Sequence, residues 1–188
     1  MIEVELKARL ERDEIPDFIN KLKSLGFTRY NKVEEIDIYF NGIDRDFRET
    51  DEALRIRKSM DIDKKDINYY LVYKGPKMDN ISKTREEYEV IVSDGEITNI
   101  ILEKLGFKSL PPIKKIREIY KNNEITISLD NVEGVGYFVE FEKMIKSESE
   151  KKEALNDLMD LIKSLNIDED RLIKLSYLEL RDRHEGKK

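Results

Sequence analysis

EVELKAR, residues 3–9, alternates charged and apolar side chains without a break. The side chains of a β-strand point alternately to its two faces, so Glu3, Glu5 and Lys7 share one face and the apolar side chains share the other. This stretch therefore predicts a strand with one apolar face and one charged face.

The same alternation continues along most of the chain. It predicts eight strands, at 2–10, 28–41, 53–60, 67–75, 84–92, 108–121, 124–131 and 136–145. Their charged faces carry seven bases, which are Lys7, Arg55, Arg57, Lys74, Arg85, Lys115 and Arg117. They also carry seven acids, which are Glu3, Glu5, Glu87, Glu89, Asp130, Glu140 and Glu142. The stretch DIYF adds Asp37 and Tyr39 to this pattern, and the chain as a whole is predicted to be α+β and mainly β.

Three segments have the apolar spacing of amphipathic helices, at 14–25, 96–105 and 150–165. A shorter helix is expected around SYLELRDR, followed by a tail, 184–188, that is expected to fray. Each helix needs an apolar surface to cover. The stripe of the second segment consists of Ile97, Ile100, Ile101 and Leu105.

A weak internal repeat links the two halves of the chain. EVEL, a helix and SLGF in the first half are answered by EYEV, a helix and KLGF in the second half. Gly26 and Gly106 follow their helices directly, where glycine commonly ends a helix. The repeat suggests a sheet built from two similar halves.

Two arrangements account for the charged strand faces. In the simpler one the charges face water, where alternating Lys and Glu contribute little to stability. In the other, the sheet closes into a barrel with helices on its apolar outside and the charges line the interior. The paired arginines of LRIR and the ordered clusters ExExK and RxExE favour the barrel. Because buried charges are costly unless they are paired or ligated, such an interior predicts a wet channel and a charged guest.

A guest that uses both signs of charge is a triphosphate with Mg²⁺ or Mn²⁺. Arg and Lys suit phosphate oxygens, and clustered carboxylates suit a hard divalent cation that also binds phosphate. Other sites are not indicated, because the sequence has no HExxH motif, no GxxxxGK[ST] loop, and its single histidine lies in the C-terminal tail.

Composition excludes several classes of protein. The chain of 188 residues has no cysteine, which removes disulfides, thiolate metal sites and a Cys nucleophile. A net charge of −6 argues against a general nucleic-acid binder. No apolar run is long enough to span a bilayer, and no targeting segment precedes the first strand. We therefore expect a cytoplasmic protein with neither a nucleic-acid nor a membrane partner.

The order of these motifs resembles that of the CYTH superfamily, the triphosphate tunnel metalloenzymes, which includes class IV adenylyl cyclases and thiamine triphosphatases. EVELKAR resembles its signature ExExK. The similarity continues through DIYF, LRIR, YKGP, TREEYEV, IKKIREIY, LDNVEGVGYFVEFE and SYLEL, which together cover nearly the whole chain. EVELKAR, DIYF, IKKIREIY and DNVEGVG are most similar to the class IV cyclase branch.

The resemblance implies a single domain over 1–188, a closed antiparallel barrel of eight strands, and a small-molecule triphosphate bound with Mg²⁺ or Mn²⁺. It also implies a homodimer. The seven bases match the phosphate-binding set, with Lys7, Lys115 and Arg117 as catalytic candidates, and the seven acids match the set from which metal ligands are drawn. Lys174 is a weaker candidate, and three further lysines are read as surface residues, Lys58, Lys77 and Lys114.

Three functions remain open from the sequence. A cyclase would convert ATP to cyclic AMP and pyrophosphate, whereas a triphosphatase would remove the terminal phosphate of inorganic or thiamine triphosphate. A sensor would bind nucleotides or polyphosphate without reaction, although binding a polyanion alone would favour fewer acids. A purely structural barrel would have to recover the desolvation cost of seven ion pairs with no ligand.

Overall fold

A computed structural model describes residues 1–80 and 82–186. In this part of the chain the strands are β1 (Ile2–Leu10), β2 (Thr28–Asn41), β3 (Ala53–Asp61), β4 (Ile67–Lys74), β5 (Arg85–Val92), β6 (Lys108–Ser109), β7 (Ile113–Lys121), β8 (Ile125–Val132) and β9 (Gly136–Ile145). The α-helices are α1 (Ile15–Ser24), α2 (Gly95–Lys104), α3 (Lys151–Ser164) and α4 (Tyr177–His184). Residues 187 and 188 of the predicted tail lie outside the described residues.

Eight strands close into an antiparallel barrel. Their order is β3-β4-β5-β1-β9-β8-β7-β2, and β2 also pairs with β3, which closes the ring. Every pairing is antiparallel, and the four helices pack on the outside. The predicted closed eight-stranded barrel is confirmed.

The predicted strand 108–121 is wrong in one respect, since it is interrupted at residues 110–112. Pro111 and Pro112 lie in this break, and proline has no backbone N–H to contribute to a strand ladder. The two residues before the break form β6, which pairs with Phe40 and Asn41 at the end of β2, and β7 begins at Ile113.

The barrel wall has a seam between β5 and β1. These strands pair only at Ile2 and Glu3, which leaves the rest of this edge of β1 for other segments. The Lys83 amide donates to the Glu5 carbonyl at 3.0 Å, and the Ile173 amide donates to the Lys7 carbonyl at 2.8 Å. Two irregular segments, 82–84 and 172–173, therefore complete the wall where β5 leaves β1.

The main apolar core lies outside the barrel, between the wall and two helices. The outward side chains of β1, such as Val4 and Leu6, are buried there with Phe18 and Leu22 of α1 and with Leu158 of α3. A smaller cluster joins the start of α4 to the barrel. In the described part of the chain, no helix is long and apolar enough to cross a membrane.

Helix α2 does not bury its predicted stripe. Ile97, Ile100 and Ile101 are each about half exposed, and Leu105 is more exposed still. The helix packs on β3 and β4 through its opposite side, where Gly95 is buried against the ring of Tyr69. A close approach through glycine turns the isoleucines toward the outside.

Candidate functional site

A cavity of about 580 Å³ occupies the barrel interior. Because strand alternation turns the charged residues inward, all seven predicted bases and six of the seven predicted acids line it. The exception is Asp130, which is buried in the wall and hydrogen-bonded to Arg117. The structure thus brings nearly the whole predicted set into one cavity.

Three acids form a compact cluster on adjacent strands. Glu3 and Glu5 follow each other on the inner face of β1, and Glu142 is the direct partner of Glu5 on β9. One carboxylate oxygen of each residue lies within 4.8 Å of the corresponding oxygens of the other two. We call Glu3, Glu5 and Glu142 the acid triad.

Lys74 and Lys83 form ion pairs with Glu3 and Glu5, whereas Glu142 has no ion pair in the described part of the chain. Burial raises the pKa of Glu142 well above its usual value, and the negative charges of Glu3 and Glu140 raise it further. Burial also raises the pKa of Glu3, although Lys74 opposes this shift. Three carboxylates that repel one another, with oxygen atoms this close, fit a hard divalent cation such as Mg²⁺ or Mn²⁺.

A second group of acids holds the arginines in place. Arg57 donates to both oxygens of Asp37, at 2.7 and 2.8 Å, and Arg117 donates to both oxygens of Asp130, each at 2.6 Å. Glu140 accepts a further bond from Arg117 at 2.5 Å. Such bidentate contacts fix the plane of a guanidinium group, so these acids orient the bases toward the cavity.

Glu35 and Asp37 do the same for Lys115. Its Nζ lies 3.2 Å from an oxygen of each carboxylate. Burial alone would raise the pKa of Asp37, but Arg57 and Lys115 outweigh it and hold that pKa well below the usual value. Asp37 therefore stays ionised as a fixed counter-charge.

Lys7 lies at the junction of the wall and α4. Its Nζ is 3.1 Å from Glu140, donates to the Leu175 carbonyl at 3.3 Å and stands 3.6 Å above the ring centre of Tyr177. Burial lowers the pKa of Lys7 to about 7, with the positive charge of Lys83 acting in the same direction. The Tyr177 hydroxyl donates to Asp130 at 2.5 Å, which links α4 to the arginine network.

Lys74, Arg55 and Glu89 also line the cavity and are less buried than Lys7 and Lys115. Lys74 bridges Glu3 at 2.5 Å and Glu87 at 3.2 Å. Glu89 lines the cavity but is exposed. Arg55 receives weaker support, with Nη1 donating to the Tyr39 hydroxyl at 3.3 Å.

Sequence reasoning missed several residues of the site. Lys83 is buried and donates to Glu5 at 2.8 Å, but it lies outside the strands, where no alternation marks its direction. Lys77, read as a surface residue, lines the cavity and bonds to Asp51 at 2.5 Å. Glu35 lies two residues before Asp37 on β2, so the alternation of that strand was the signal for it.

The lysines set aside in the sequence take different positions. Lys174 and Lys114 are exposed, and Lys58 is half-buried on β3. The residues that line the cavity in the described part of the chain do not include these three. Lys174 nevertheless lies next to Ile173, whose backbone completes the seam.

One end of the cavity has an apolar wall. It forms where β2 ends and α4 begins, and it contains Phe40, Phe47, Leu110 and Leu178. We call Phe40, Phe47, Leu110 and Leu178 the apolar wall. Close to it in the sequence, Arg48 and Asp182 form an ion pair of 2.9 Å between the segment after β2 and α4.

Comparison with known proteins gives a consistent family and fold. The model of the CYTH domain family matches residues 1–177. A Methanocaldococcus jannaschii protein named as a candidate adenylate cyclase is 54% identical over 181 residues, which cover 96% of this chain and 99% of that protein.

Solved structures share the same architecture. The PH1819 protein from Pyrococcus horikoshii superimposes with a TM-score of 0.85 at 39% identity, and the match covers 95% of this chain and 97% of that one. A Hippeastrum protein, described as a candidate adenylyl cyclase with a dominant triphosphatase activity, has a TM-score of 0.62 at 20% identity, with 100% and 96% covered. At that identity the likeness concerns the fold alone.

Proposed function

Since the chain belongs to the CYTH domain family, we propose that it is a divalent-metal-dependent enzyme that converts ATP to cyclic AMP and pyrophosphate. The observation that carries this proposal is the acid triad facing a set of fixed Arg and Lys side chains in one cavity. The name of the 54% identical relative, a candidate adenylate cyclase, supports the choice of reaction.

The bases would bind the triphosphate. A triphosphate carries several negative charges along a short chain, and the barrel offers bases on most of its strands, with Arg57, Arg117 and Lys115 fixed by buried acids. Pre-oriented donors need little rearrangement when charge shifts between phosphate oxygens during reaction. Lys83 and Lys77 add two bases to the predicted set.

The acid triad would hold Mg²⁺ or Mn²⁺. A divalent cation bound there would neutralise charge on the phosphate oxygens of the substrate. Glu3 and Glu5 are anchored by Lys74 and Lys83, which keep these carboxylates aimed at the same point.

In the cyclase reaction the ribose 3′ oxygen bonds to the α-phosphorus. The bond between that phosphorus and the bridging oxygen of pyrophosphate breaks, and the hydroxyl proton is released. Arginine and lysine side chains around the leaving pyrophosphate stabilise the charge that develops on it.

The apolar wall favours ATP over inorganic triphosphate. Phe47, Leu110 and Leu178 lie at one end of the cavity that also contains the bases. A nucleobase is a flat group with apolar faces that packs well against aromatic and aliphatic side chains. Inorganic triphosphate has no part that would use such a wall.

Hydrolysis of a terminal phosphate is the second candidate. The charged part of the cavity contains both the acid triad and the bases without any contribution from the apolar wall. Water in place of the ribose hydroxyl, at the γ-phosphorus, would yield orthophosphate from ATP, thiamine triphosphate or inorganic triphosphate.

The test is to incubate the purified protein with Mg²⁺ or Mn²⁺ and each of these three substrates, and to resolve the products by phosphorus NMR. Cyclic AMP with pyrophosphate from ATP is the expected result. Orthophosphate instead would support the triphosphatase, and tight binding without product would support a sensor. Glu34→Gln, which changes an exposed carboxylate on the outer face of β2, is the matched control for Glu5→Gln in the acid triad.

A further inference from the structure

Asn41, the last residue of β2, lies at the end of the cavity that contains the apolar wall. Side chains alternate along a strand, so Asn41 shares the inner face of β2 with Asp37 and Tyr39, and it lines the cavity. Its side chain is half-buried. The roles proposed for the bases and for the acid triad do not involve this residue.

The side-chain oxygen of Asn41 is fully occupied. Oδ1 accepts from the Gly42 amide at 2.9 Å and from the Phe47 amide at 2.8 Å, which uses both of its lone pairs. Because the amide nitrogen cannot accept these bonds, Nδ2 must point the other way. In the described part of the chain Nδ2 has no hydrogen-bond partner, and protein atoms do not enclose it. Asn41 therefore offers the cavity a hydrogen-bond donor and no acceptor.

The backbone around Asn41 is held on several sides. Phe40 and Asn41 pair with β6, and Phe40 also pairs with Leu54 of β3. The Phe47 ring packs so closely on Gly42 that a Cβ there would lie 2.7 Å from it. The bond from the Phe47 amide thus fixes an aromatic ring of the apolar wall relative to the Asn41 donor. A flat ligand can be held by its face and by its edge in such a site.

The order of side chains along β2 follows the order of groups in a nucleoside triphosphate. Asp37 holds Arg57, and Tyr39 is the direct partner of Arg55. The Nε atom of Arg55 is buried without a hydrogen-bond partner among residues 1–80 and 82–186, so this guanidinium keeps a donor for a phosphate. Asn41 lies two residues beyond Tyr39, about 7 Å further along the strand. When phosphates reach as far as Arg55, the ribose and then the base extend toward Asn41.

We propose that Asn41 recognises adenine by donating a hydrogen bond from Nδ2 to N1 of the base, a role that rests on the proposed binding of ATP. Phe47 and the rest of the apolar wall contact the face of the base. N1 is the ring nitrogen farthest from the ribose, so it reaches furthest toward the end of β2. In adenine this nitrogen accepts a hydrogen bond, whereas in guanine and hypoxanthine it carries a hydrogen. Asn41 is thereby a residue that determines specificity.

The first experiment compares ATP with 1-deaza-ATP and 7-deaza-ATP, in each of which one ring nitrogen is replaced by C–H. Binding to the wild-type protein is measured by calorimetry in EDTA, so that a divalent-metal-dependent enzyme does not turn the nucleotides over. We expect 7-deaza-ATP to bind as ATP does. We expect 1-deaza-ATP to bind about 10-fold more weakly, because the Asn41 donor is then buried without an acceptor. Equal affinities for all three nucleotides, or a loss confined to 7-deaza-ATP, would overturn the proposal.

The second experiment changes the donor and keeps the loop. In Asn41→Asp one oxygen still accepts from the Gly42 and Phe47 amides, and the other replaces Nδ2, so that an acceptor faces the base. Affinity for ATP should fall at least ~10-fold more than affinity for inorganic triphosphate, which meets the added charge but has no base. The preference for ATP over 1-deaza-ATP should disappear, and an undiminished preference would overturn the role of Asn41. Asn20→Asp adds the same charge at an exposed position on α1 and should leave all these affinities unchanged.

These measurements separate the role of Asn41 from the proposed function. Wild-type protein that binds ATP no more tightly than inorganic triphosphate would contradict the nucleoside subsite, and with it the choice of ATP as substrate. Wild-type protein that prefers ATP but does not distinguish it from 1-deaza-ATP would overturn the role of Asn41 alone. The NMR assay for cyclic AMP is independent of both results.

Discussion

Carboxylates in this barrel have two separable roles. Glu3, Glu5 and Glu142 crowd together, whereas Asp37 and Asp130 are each bound by an arginine through both oxygens. Strand alternation predicted which acids point inward. It did not separate the two roles, because these depend on distances across strands that are far apart in the sequence.

The acid triad should limit stability and support activity at once. Glu142→Gln removes one of three mutually repelling carboxylates, so we expect a higher Tm in EDTA. Turnover of ATP with Mg²⁺ should fall at least ~100-fold, since the proposed metal site would lose one of its three carboxylates. Calorimetry and the NMR assay measure the two effects. Undiminished turnover would show that Glu142 does not contribute to the active site.

Asp37 should have the opposite effect on stability. Asp37→Asn leaves Arg57 and Lys115 without their main counter-charge, and breaking a buried pair in this way costs about 3 kcal/mol. Urea unfolding measures the change. Asp160→Asn, at an exposed position on α3, is the control and should change stability little.

The contribution of Asp37 to the stability of the fold should decrease as the pH falls. Its pKa in the folded protein lies well below the usual value, so its carboxylate stabilises the fold above the unfolded-state pKa of about 3.9. That contribution is lost as pH falls toward the lower folded-state pKa. The stability difference between wild type and Asp37→Asn should therefore be constant near neutral pH and shrink in acid; a difference that grows in acid would contradict the assignment.

At the scale of elements, the side of a helix that packs against the barrel depends on its packing partners and does not follow from helical periodicity alone. The stripes of α1 and α3 pack against the core as predicted, apart from Leu25, which is exposed. That of α2 faces outward because Gly95 brings the opposite side of the helix onto Tyr69. Helical periodicity identifies an apolar face and does not identify what covers it. Pro111 and Pro112 are the sequence signal for the break after β6.

The apolar wall joins two elements, the end of β2 and the start of α4. Its contribution to substrate affinity should differ between ATP and inorganic triphosphate. Leu110→Ala shortens a half-buried side chain of the apolar wall. We expect a KM for ATP several-fold higher, with affinity for inorganic triphosphate unchanged. Lys174→Ala, which changes an exposed residue that does not line the cavity, is the control and should leave both values unchanged. Equal losses for both ligands would remove the argument for a nucleoside subsite.

For the whole molecule, the sequence predicted the closed barrel and its charged interior, because the paired arginines of LRIR and the ordered clusters ExExK and RxExE favoured an interior position over a sheet with its charges in water. The seam was not predictable. Lys83 and Ile173 complete the seam through their backbone amides. Because almost any residue can donate such a hydrogen bond, the sequence does not reveal it.

The seam should be where the barrel opens most readily. It is held by isolated hydrogen bonds from the Lys83 and Ile173 amides, whereas β1 and β9 pair continuously from Ile2 to Leu10. Local openings involve the elements with the fewest cooperative bonds. Hydrogen exchange at these two amides should be at least ~10-fold faster than at the inner amides of β1. Equal protection would show that the seam opens only with the rest of the barrel.

The seam also has a consequence for how the protein is made. Strand β1 is synthesised long before Ile173, which covers part of one of its edges. Its other edge pairs with β9, which comes more than 120 residues later. Most of the first strand therefore has no partner until β9 and residue 173 have been synthesised, and the barrel cannot close before then. Contacts between such distant parts of a chain form slowly, so we expect the barrel to fold late and to benefit from chaperones that shield EVELKAR until its partners are synthesised.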